Sequence, residues 1–494
     1  MNRQAFDNVA YLQTQSEHIR QRIARFGGKL YLEFGGKLFD DYHAARVLPG
    51  FAPDSKVRML LELREQVEIV IVINAADIEK NKVRGDLGIT YDLDVLRLID
   101  AFRDFDLLVS GVVITQYGQN AAAEKFRSRL ERLGIQVYCH YPIAGYPADI
   151  ARVVSDEGYG KNDYIETTRP LVVLTAPGPG SGKLSACMSQ LYHDSLSGMR
   201  SGYAKFETFP VWDLPLGHPV NMAYEAATAD LDDVNMIDPF HLEAYGTRAV
   251  SYNRDIEVFP LLSAIFQRIW GQCPYKSPTD MGVNMVGKCI SDDEAVSQAA
   301  KQEIIRRYYA AMCAHHQGLG AREPIFKIEL LMSKAGITTA DRPVVGAAVQ
   351  KAETSGVPAA AIELPDGTII TGKTSPLLGA PSSMLLNALK HLAGLDDAVL
   401  LIAPTVIEPV QALKSENLGN ANTRLHTEET LIALSICAVT DPNARRALDQ
   451  LPKLSGCEVH STVILSQTDE GVFRKLGVNL TSEPQYQTHK LYHR

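Results

Sequence analysis

The sequence predicts a multidomain α/β protein. It has a mostly parallel, three-layer N-terminal sheet with a phosphate-loop-like turn, a helical middle region, and a separate C-terminal α/β domain. Three observations carry this prediction. Short apolar runs alternate with helical stretches from the N-terminus to Thr175. The last of those runs, Leu171–Thr175, leads into the glycine-rich, lysine-bearing segment APGPGSGKLS and then a helical pattern. Near Ala321 the composition shifts, and a second α/β alternation begins. A chain of 494 residues is too long for one hydrophobic core. The expected boundaries are 1–250 for the phosphate-binding α/β domain, 251–322 for the helical region and 323–494 for the C-terminal domain.

The opening segment reads as an amphipathic helix, with Phe6, Val9, Leu12, His18, Ile19 and Ile23 near one face. Asp7 and Glu17 interrupt it, so it is not a signal peptide. Strands are expected at Lys29–Phe34, Glu68–Asn74, Leu107–Thr115, Ile135–Cys139 and Leu171–Thr175. Helices are expected at Asp92–Phe102 and Ala121–Leu133. Strands that are apolar throughout and separated by helices imply a sheet covered on both faces. Ligands of such sheets bind outside the carboxyl ends of the strands. There the sequence places Gly35-Gly36-Lys37, Asn74, the run Glu79–Asp86, Gln116-Tyr117 and His140-Tyr141, which together read as a polar, partly basic crevice at one sheet edge.

Further on, KFETFPVWD and DVNMIDPF continue the α/β pattern. Helical periodicity then dominates from Val258 to Gly320, with Ser277–Asn284 read as a loop between helices. In the last third, helices are expected at Pro324–Ala335 and Arg342–Ser355. Asp366-Gly367 between two alternating apolar runs signals a hairpin. Further strands are expected at Ala398–Ile402, Cys457–Leu465 and Gly477–Leu480.

Composition narrows the function. Charged residues make up 22% of the chain and the net charge is −9, which excludes the concentrated positive face that nucleic-acid binding requires. No apolar run approaches the roughly 20 residues of a membrane span. The seven cysteines are scattered and never form C-x-x-C, which fits a reducing compartment and argues against a zinc site or disulfide framework. A cytoplasmic protein is expected, a homo-oligomer with a small phosphorylated ligand as its partner.

The strongest chemical signal is the turn itself. Glycines at 178, 180 and 182 let backbone N–H groups wrap an anion, the following helix adds its dipole, and Lys183 adds a charge. Gly178, Gly180, Ser181, Gly182, Lys183 and Ser185 are therefore the expected phosphate or cofactor contacts. Two positions depart from G-x-x-x-x-G-K-[ST]. Pro177 replaces the first glycine, and Leu184 replaces the hydroxyl that holds magnesium, with Ser185 about 100° further round the helix. ATP or GTP with magnesium, for phosphoryl transfer or ligation, is one expected ligand, and a phosphorylated metabolite handled by a metal-independent sugar-phosphate or metabolite enzyme is the other; a non-catalytic sensor or assembly protein is the third reading of the chain. The plainer reading is a tight strand-to-helix turn with an exposed lysine.

Asp238, after the short apolar run VNMI, is the candidate metal ligand and, with Lys183, a candidate catalytic residue. Preceding Pro239, it reads more readily as a helix cap or turn. Lys37, Lys82, Arg84 and Asp86 are the candidate substrate contacts. Lys205 and Glu207 share one face of a strand, as a site pair or a solvated face. His241 and Glu243 lie near Asp238, yet no H-E-x-x-H or H-x-x-x-H occurs, and the adjacent His315-His316 diverge on a helix. Arg424, His426, Glu428 and Glu429 form a polar cluster that suits a helix cap.

The strings EFGGKLFDDYHAARVLPGF, NKVRGDLGITYD, TAPGPGSGKLS, NMIDPFHLEAYG, SPTDMGVN and AAIELPDGTIITGK closely resemble the bacterial uncharacterised protein family 0371 (domain of unknown function 1846). The resemblance runs nearly end to end. It implies a multidomain α/β protein with a helical insert and implies no particular activity. A metalloprotease label that some members have carried finds no motif here.

Overall fold

The computed structural model describes residues 4–84 and 87–488. They divide into two compact units, one formed by Gln4–Tyr224 with Asp233–Ser297, the other by Glu225–Asp232 with the chain from Gln298 onward.

The first unit is built on a seven-stranded, wholly parallel sheet. Its strands are β1 (Leu30–Phe34), β2 (Val67–Asn74), β3 (Leu108–Thr115), β4 (Val137–Cys139), β5 (Leu171–Thr175), β6 (Gly202–Phe206) and β7 (Gly282–Val283), in the spatial order β7-β6-β1-β5-β2-β3-β4. β5 is buried at every position and β2 at all but its last, as expected for strands covered on both faces. The first five strands fall where the apolar runs place them, each within two residues.

Strand order creates the feature that matters. The chain runs β1, β2, β3, β4 toward one edge, returns to insert β5 between β1 and β2, and then proceeds through β6 and β7 toward the other edge. The helix after β5, α3 (Lys183–Leu196), packs over β1 and β6. The helix between β2 and β3, α2 (Tyr91–Asp104), packs on those two strands. Right-handed crossovers running in opposite directions put their helices on opposite faces, so a crevice opens at the carboxyl ends of β5 and β2.

Three expectations change. The first helix, α1 (Asn8–Arg25), buries Tyr11, Gln15, Ser16, Ile19 and Ile23 and leaves Val9 exposed. Polar residues hide this face in the sequence. The Gln15 amide donates to Val283 O at 2.9 Å and accepts from Met285 N at 2.9 Å, and Ser16 donates to Glu62 at 2.8 Å, so they are satisfied inside the fold. The Ser277–Asn284 segment is not simply a loop, because it contains a short helix, Pro278–Met281, and the edge strand β7. Ala398–Ile402 is not a strand. Asp396 accepts from Ala398 N at 2.8 Å and turns the chain, while Leu401 and Ile402 are buried without pairing.

The second unit carries a four-stranded sheet, β9-β8-β10-β11, from β8 (Ala359–Glu363), β9 (Ile369–Lys373), β10 (Glu458–Ser461) and β11 (Asn479–Ser482). The hairpin read from Asp366-Gly367 joins β8 and β9, which are antiparallel. Between the two sheets the sequence is mostly helical, with Asn253–Trp270 and Asp293–His316 the longest segments. All seven cysteines are free thiols. Among the described residues no helix is long and apolar enough to cross a membrane.

Candidate functional site

The crevice at the switch between β5 and β2 holds a cavity of about 120 Å³, lined by Asn74, Thr115, Gln116, His140, Tyr141, Ile143, Tyr146, Asn162, Gly180, Gly182 and Ser185. Four strand ends and the first turn of α3 meet here. No lining residue carries a formal charge at neutral pH, so the cavity is polar and uncharged. It lies over the middle and one flank of the sheet, in place of the partly basic edge expected.

The turn Ala176–Gly182 is fixed by its neighbours. Thr115 Oγ1 donates to Ser181 O at 2.5 Å, and Asn74 Nδ2 donates to Gly180 O at 3.3 Å while its Oδ1 accepts from Ala76 N at 2.8 Å. These bonds consume carbonyls and leave the amides. Gly182 ends the turn at φ +92°, where a Cβ would also lie 2.9 Å from the Thr115 methyl. Two separate constraints therefore demand glycine there.

The helix α3 starts at Lys183, directly after Gly182, and has no side-chain cap. Among the described residues the N–H groups of Gly182, Lys183, Leu184 and Ser185 find no acceptor. Half-buried Lys183 likewise makes no hydrogen bond or ion pair among the described residues. Burial pulls its pKa down, Glu33 acts the other way, and Lys205 adds to the lowering. Leu184 packs against the core, and Ser185 is the residue that lines the cavity.

Beside the turn, toward β1 and β6, lies a charged cluster. Lys205 Nζ is 2.5 Å from Asp255 Oδ2 and 2.6 Å from Glu207 Oε1, and the Tyr203 hydroxyl donates to Glu33 at 2.8 Å. Burial pushes Glu207 up to about 7, against the opposing pull of Lys205. Burial alone would lower Lys205, but Asp255, Glu207 and Glu33 together hold it above its ordinary value. The pair read from the sequence is thus a half-buried ion cluster and not a solvated strand face.

The remaining candidates are dispersed. Lys82 lies 3.3 Å from Asp77 and 5.0 Å over the ring of Tyr91, and Tyr91 touches Gly178, so this lysine stands one side chain away from the turn. Arg84 is committed to the fully buried Asp94 at 2.9 Å, which also holds Arg97 at 2.6 Å. Lys37 is exposed in the loop after β1. Asp86 lies outside the described residues. Asp238 does not line the cavity. It is fully buried, caps the helix Pro239–Tyr245 through His241 N at 3.0 Å, and accepts from Thr279 N at 3.2 Å and Thr279 Oγ1 at 2.7 Å. His426 caps Thr427–Cys437 in a capping box with Glu429 and meets Asp469 at 3.0 Å. Among the described residues no group of three or more His, Cys, Asp or Glu is arranged to hold a metal ion.

Asn74, Thr115, His140 and Asn162 are site residues that no motif announced. The available signal was position alone: three of them end or follow predicted strands.

A parallel sheet with a crevice at its switch point, followed by an independent second sheet, defines the class as a two-part α/β protein. Its sequence matches the family models described as Domain of unknown function DUF1846, N-terminal, over residues 4–336, and DUF1846, C-terminal, over residues 340–492. A UPF0371 protein of Streptococcus pyogenes serotype M5 is 59% identical over 488 residues, 99% of each chain. Another from Streptococcus pneumoniae strain JJA is 58% identical over 492 residues, 100% of each. The chain belongs to the DUF1846 (UPF0371) family.

Proposed function

We propose that this protein binds a phosphorylated small molecule at the Gly178–Lys183 turn, with the phosphate on the first amides of α3 and on Lys183 and the rest of the ligand in the neutral cavity. One observation carries the reading: helix-terminal N–H groups and an ammonium that find no partner among the described residues occur together at the switch point of a parallel sheet. Each is a feature that an anion would satisfy.

Of the two ligand classes expected, the metal-independent one is better supported. Leu184 stands where magnesium-nucleotide chemistry needs a hydroxyl, and it is packed into the core. The cavity also favours a small ligand, since about 150 Å³ holds one benzene, and this one is about 120 Å³. The second reading, phosphoryl transfer or ligation with ATP or GTP and magnesium, remains an arm of the test.

That test is thermal unfolding with inorganic phosphate, glucose 6-phosphate, ATP and GTP, each with and without magnesium. A ligand at a hundredfold excess over Kd stabilises by about 2.7 kcal/mol. Phosphate and sugar phosphate are expected to stabilise without magnesium, and Lys183→Ala is expected to weaken them at least tenfold. Unchanged phosphate affinity in Lys183→Ala would refute the reading. Stabilisation by ATP or GTP only with magnesium would instead select the nucleotide reading.

A further inference from the structure

His140 closes the cavity just beyond the end of β4. Its N–H donates to Ile114 O at 3.0 Å, and its C=O accepts from Tyr117 N at 2.9 Å, so its backbone is tied to the end of β3. The segment around it is clamped from outside. Asp163 accepts from Cys139 N at 2.7 Å, and Asn162 Oδ1 accepts from Tyr141 N at 2.9 Å. His140 is 3% exposed, and its Nε2 lies 3.2 Å from the carbonyl oxygen of Asp163.

A carbonyl only accepts, so Nε2 carries the proton and Nδ1 carries a lone pair. Burial keeps the imidazole neutral, with its pKa lowered to about 4. Nδ1 has no hydrogen-bond partner among the described residues. An acceptor buried without a donor is costly, and such groups call for an explanation. Three other polar side chains around the cavity are already committed. Asn74 and Thr115 hold the turn, while Asn162 bonds Tyr141 N and, at 3.1 Å, Ser189 Oγ. Ser181 Oγ, 2% exposed and flanked by two lining glycines, is the second orphan.

A phosphate dianion offers only acceptors, and it cannot satisfy a nitrogen lone pair. A hydroxyl can. We propose that the ligand is a hydroxylated phosphate monoester of the polyol or sugar phosphate class, its phosphate on the α3 turn and one hydroxyl donating to His140 Nδ1. This deepens the phosphate reading of the turn and rests on it. The cavity size sets the scale at one small ring or a few hydroxylated carbons, too little for a nucleoside.

The test compares matched esters by calorimetry: glycerol 3-phosphate with propyl phosphate, glucose 6-phosphate with cyclohexylmethyl phosphate, and inorganic phosphate and AMP beside them. At least one hydroxylated ester should bind about tenfold or more tighter than its deoxygenated partner, because a buried acceptor discriminates strongly against an analogue lacking the donor. In His140→Leu that preference should fall to near unity while inorganic phosphate binding persists. In Lys183→Ala all the phosphates should weaken. Equal binding within both pairs, or AMP as the tightest ligand, overturns the hydroxyl proposal and leaves the phosphate turn standing. No affinity for any phosphate overturns both. Nitrogen NMR of histidine-labelled wild-type protein supplies a readout independent of the variant's folding: a proton on His140 Nδ1 in the free protein overturns the proposal, and a proton on Nε2 supports it.

Discussion

The Tyr91 hydroxyl lies against the α-carbon of Gly178, so close that a Cβ built on that glycine would sit 2.2 Å from the phenol oxygen and 2.6 Å from Cζ. Tyr91 is 8% exposed and opens α2, its N–H donating to Lys82 O at 2.9 Å. The first glycine of the turn therefore accommodates a neighbour from the other half of the sheet, and the two helices that flank the crevice are registered through this contact. Gly178→Ala is expected to lose about 1–3 kcal/mol by overpacking. Because the clash is with the ring as well as its oxygen, Tyr91→Phe should not rescue it, whereas Tyr91→Ala should. A double-mutant cycle by urea denaturation reads the coupling. Additive effects of Gly178→Ala and Tyr91→Ala would show that the contact carries no energy.

Asp238 separates the cap reading from the catalytic one. Its carboxylate accepts three hydrogen bonds from His241 and Thr279 while fully buried. Asp238→Ala should cost about 2–4 kcal/mol, combining a lost cap with stranded donors. Asp238→Asn keeps one acceptor oxygen and should retain the bond to His241 while losing those to Thr279. In both variants phosphate affinity should match the wild type. A selective loss of ligand binding with stability intact would restore a role at the site.

The sheet was legible because its strands are buried on both faces and so read as unbroken apolar runs, and Leu171–Thr175 was placed to the residue. Strand order was not legible. Nothing local in LVVLT says that it inserts between β1 and β2, yet that insertion is what brings Gly180, Gly182 and Ser185 to the cavity that Asn74, Thr115 and His140 line. The turn was visible as a motif, but the reasons for its glycines were not, since Tyr91 and Thr115 approach from distant sequence. Apolar pattern misled wherever burial was polar or unpaired. The buried face of α1 carries Gln15 and Ser16, and of the apolar run at Ala398–Ile402 only Leu401 and Ile402 are buried, without strand partners.

Arg342 marks the corresponding blind spot in the second unit, where the sequence shows only a residue before a proline. It is fully buried, ion-paired with Glu458, and donates to Thr481 Oγ1 at 3.1 Å, Val459 O at 3.1 Å and Asn479 O at 2.9 Å. Glu458 also meets Arg306 at 2.8 Å, and Arg306 meets Glu303 at 2.7 Å. One guanidinium thus ties β10 to β11. Lysine has no planar fork to replace it, so Arg342→Lys should cost about 3–5 kcal/mol, close to the loss from breaking a buried pair outright. Far-ultraviolet circular dichroism should follow this unfolding, because both tryptophans, Trp212 and Trp270, lie in the first unit and do not report on the second. Stability unchanged within about 0.5 kcal/mol would mean that the network is dispensable.

His140 and Glu207 should tilt the acid stability of the first unit in opposite directions. Burial lowers His140 from 6.5 to about 4. Between those values the unfolded chain binds a proton that the folded chain refuses, so stability falls as pH drops through this window. His18, lowered to about 4 by burial with help from Arg22 and Lys288, acts with the same sign. Burial raises Glu207 from 4.5 to about 7. There the folded chain keeps a proton that the unfolded chain releases, so stability rises as pH drops from about 7 toward 4.5. The two slopes oppose each other over their shared window and flatten the wild-type profile. Removing either group should expose the other. On going from about pH 7 to about pH 5, His140→Gln should lose less stability than the wild type, by about 2 kcal/mol, and Glu207→Gln should lose more. Urea midpoints for the three proteins at the two pH values decide it, and a shift of the same sign in both variants would contradict the assignment of opposite burial effects to these two side chains.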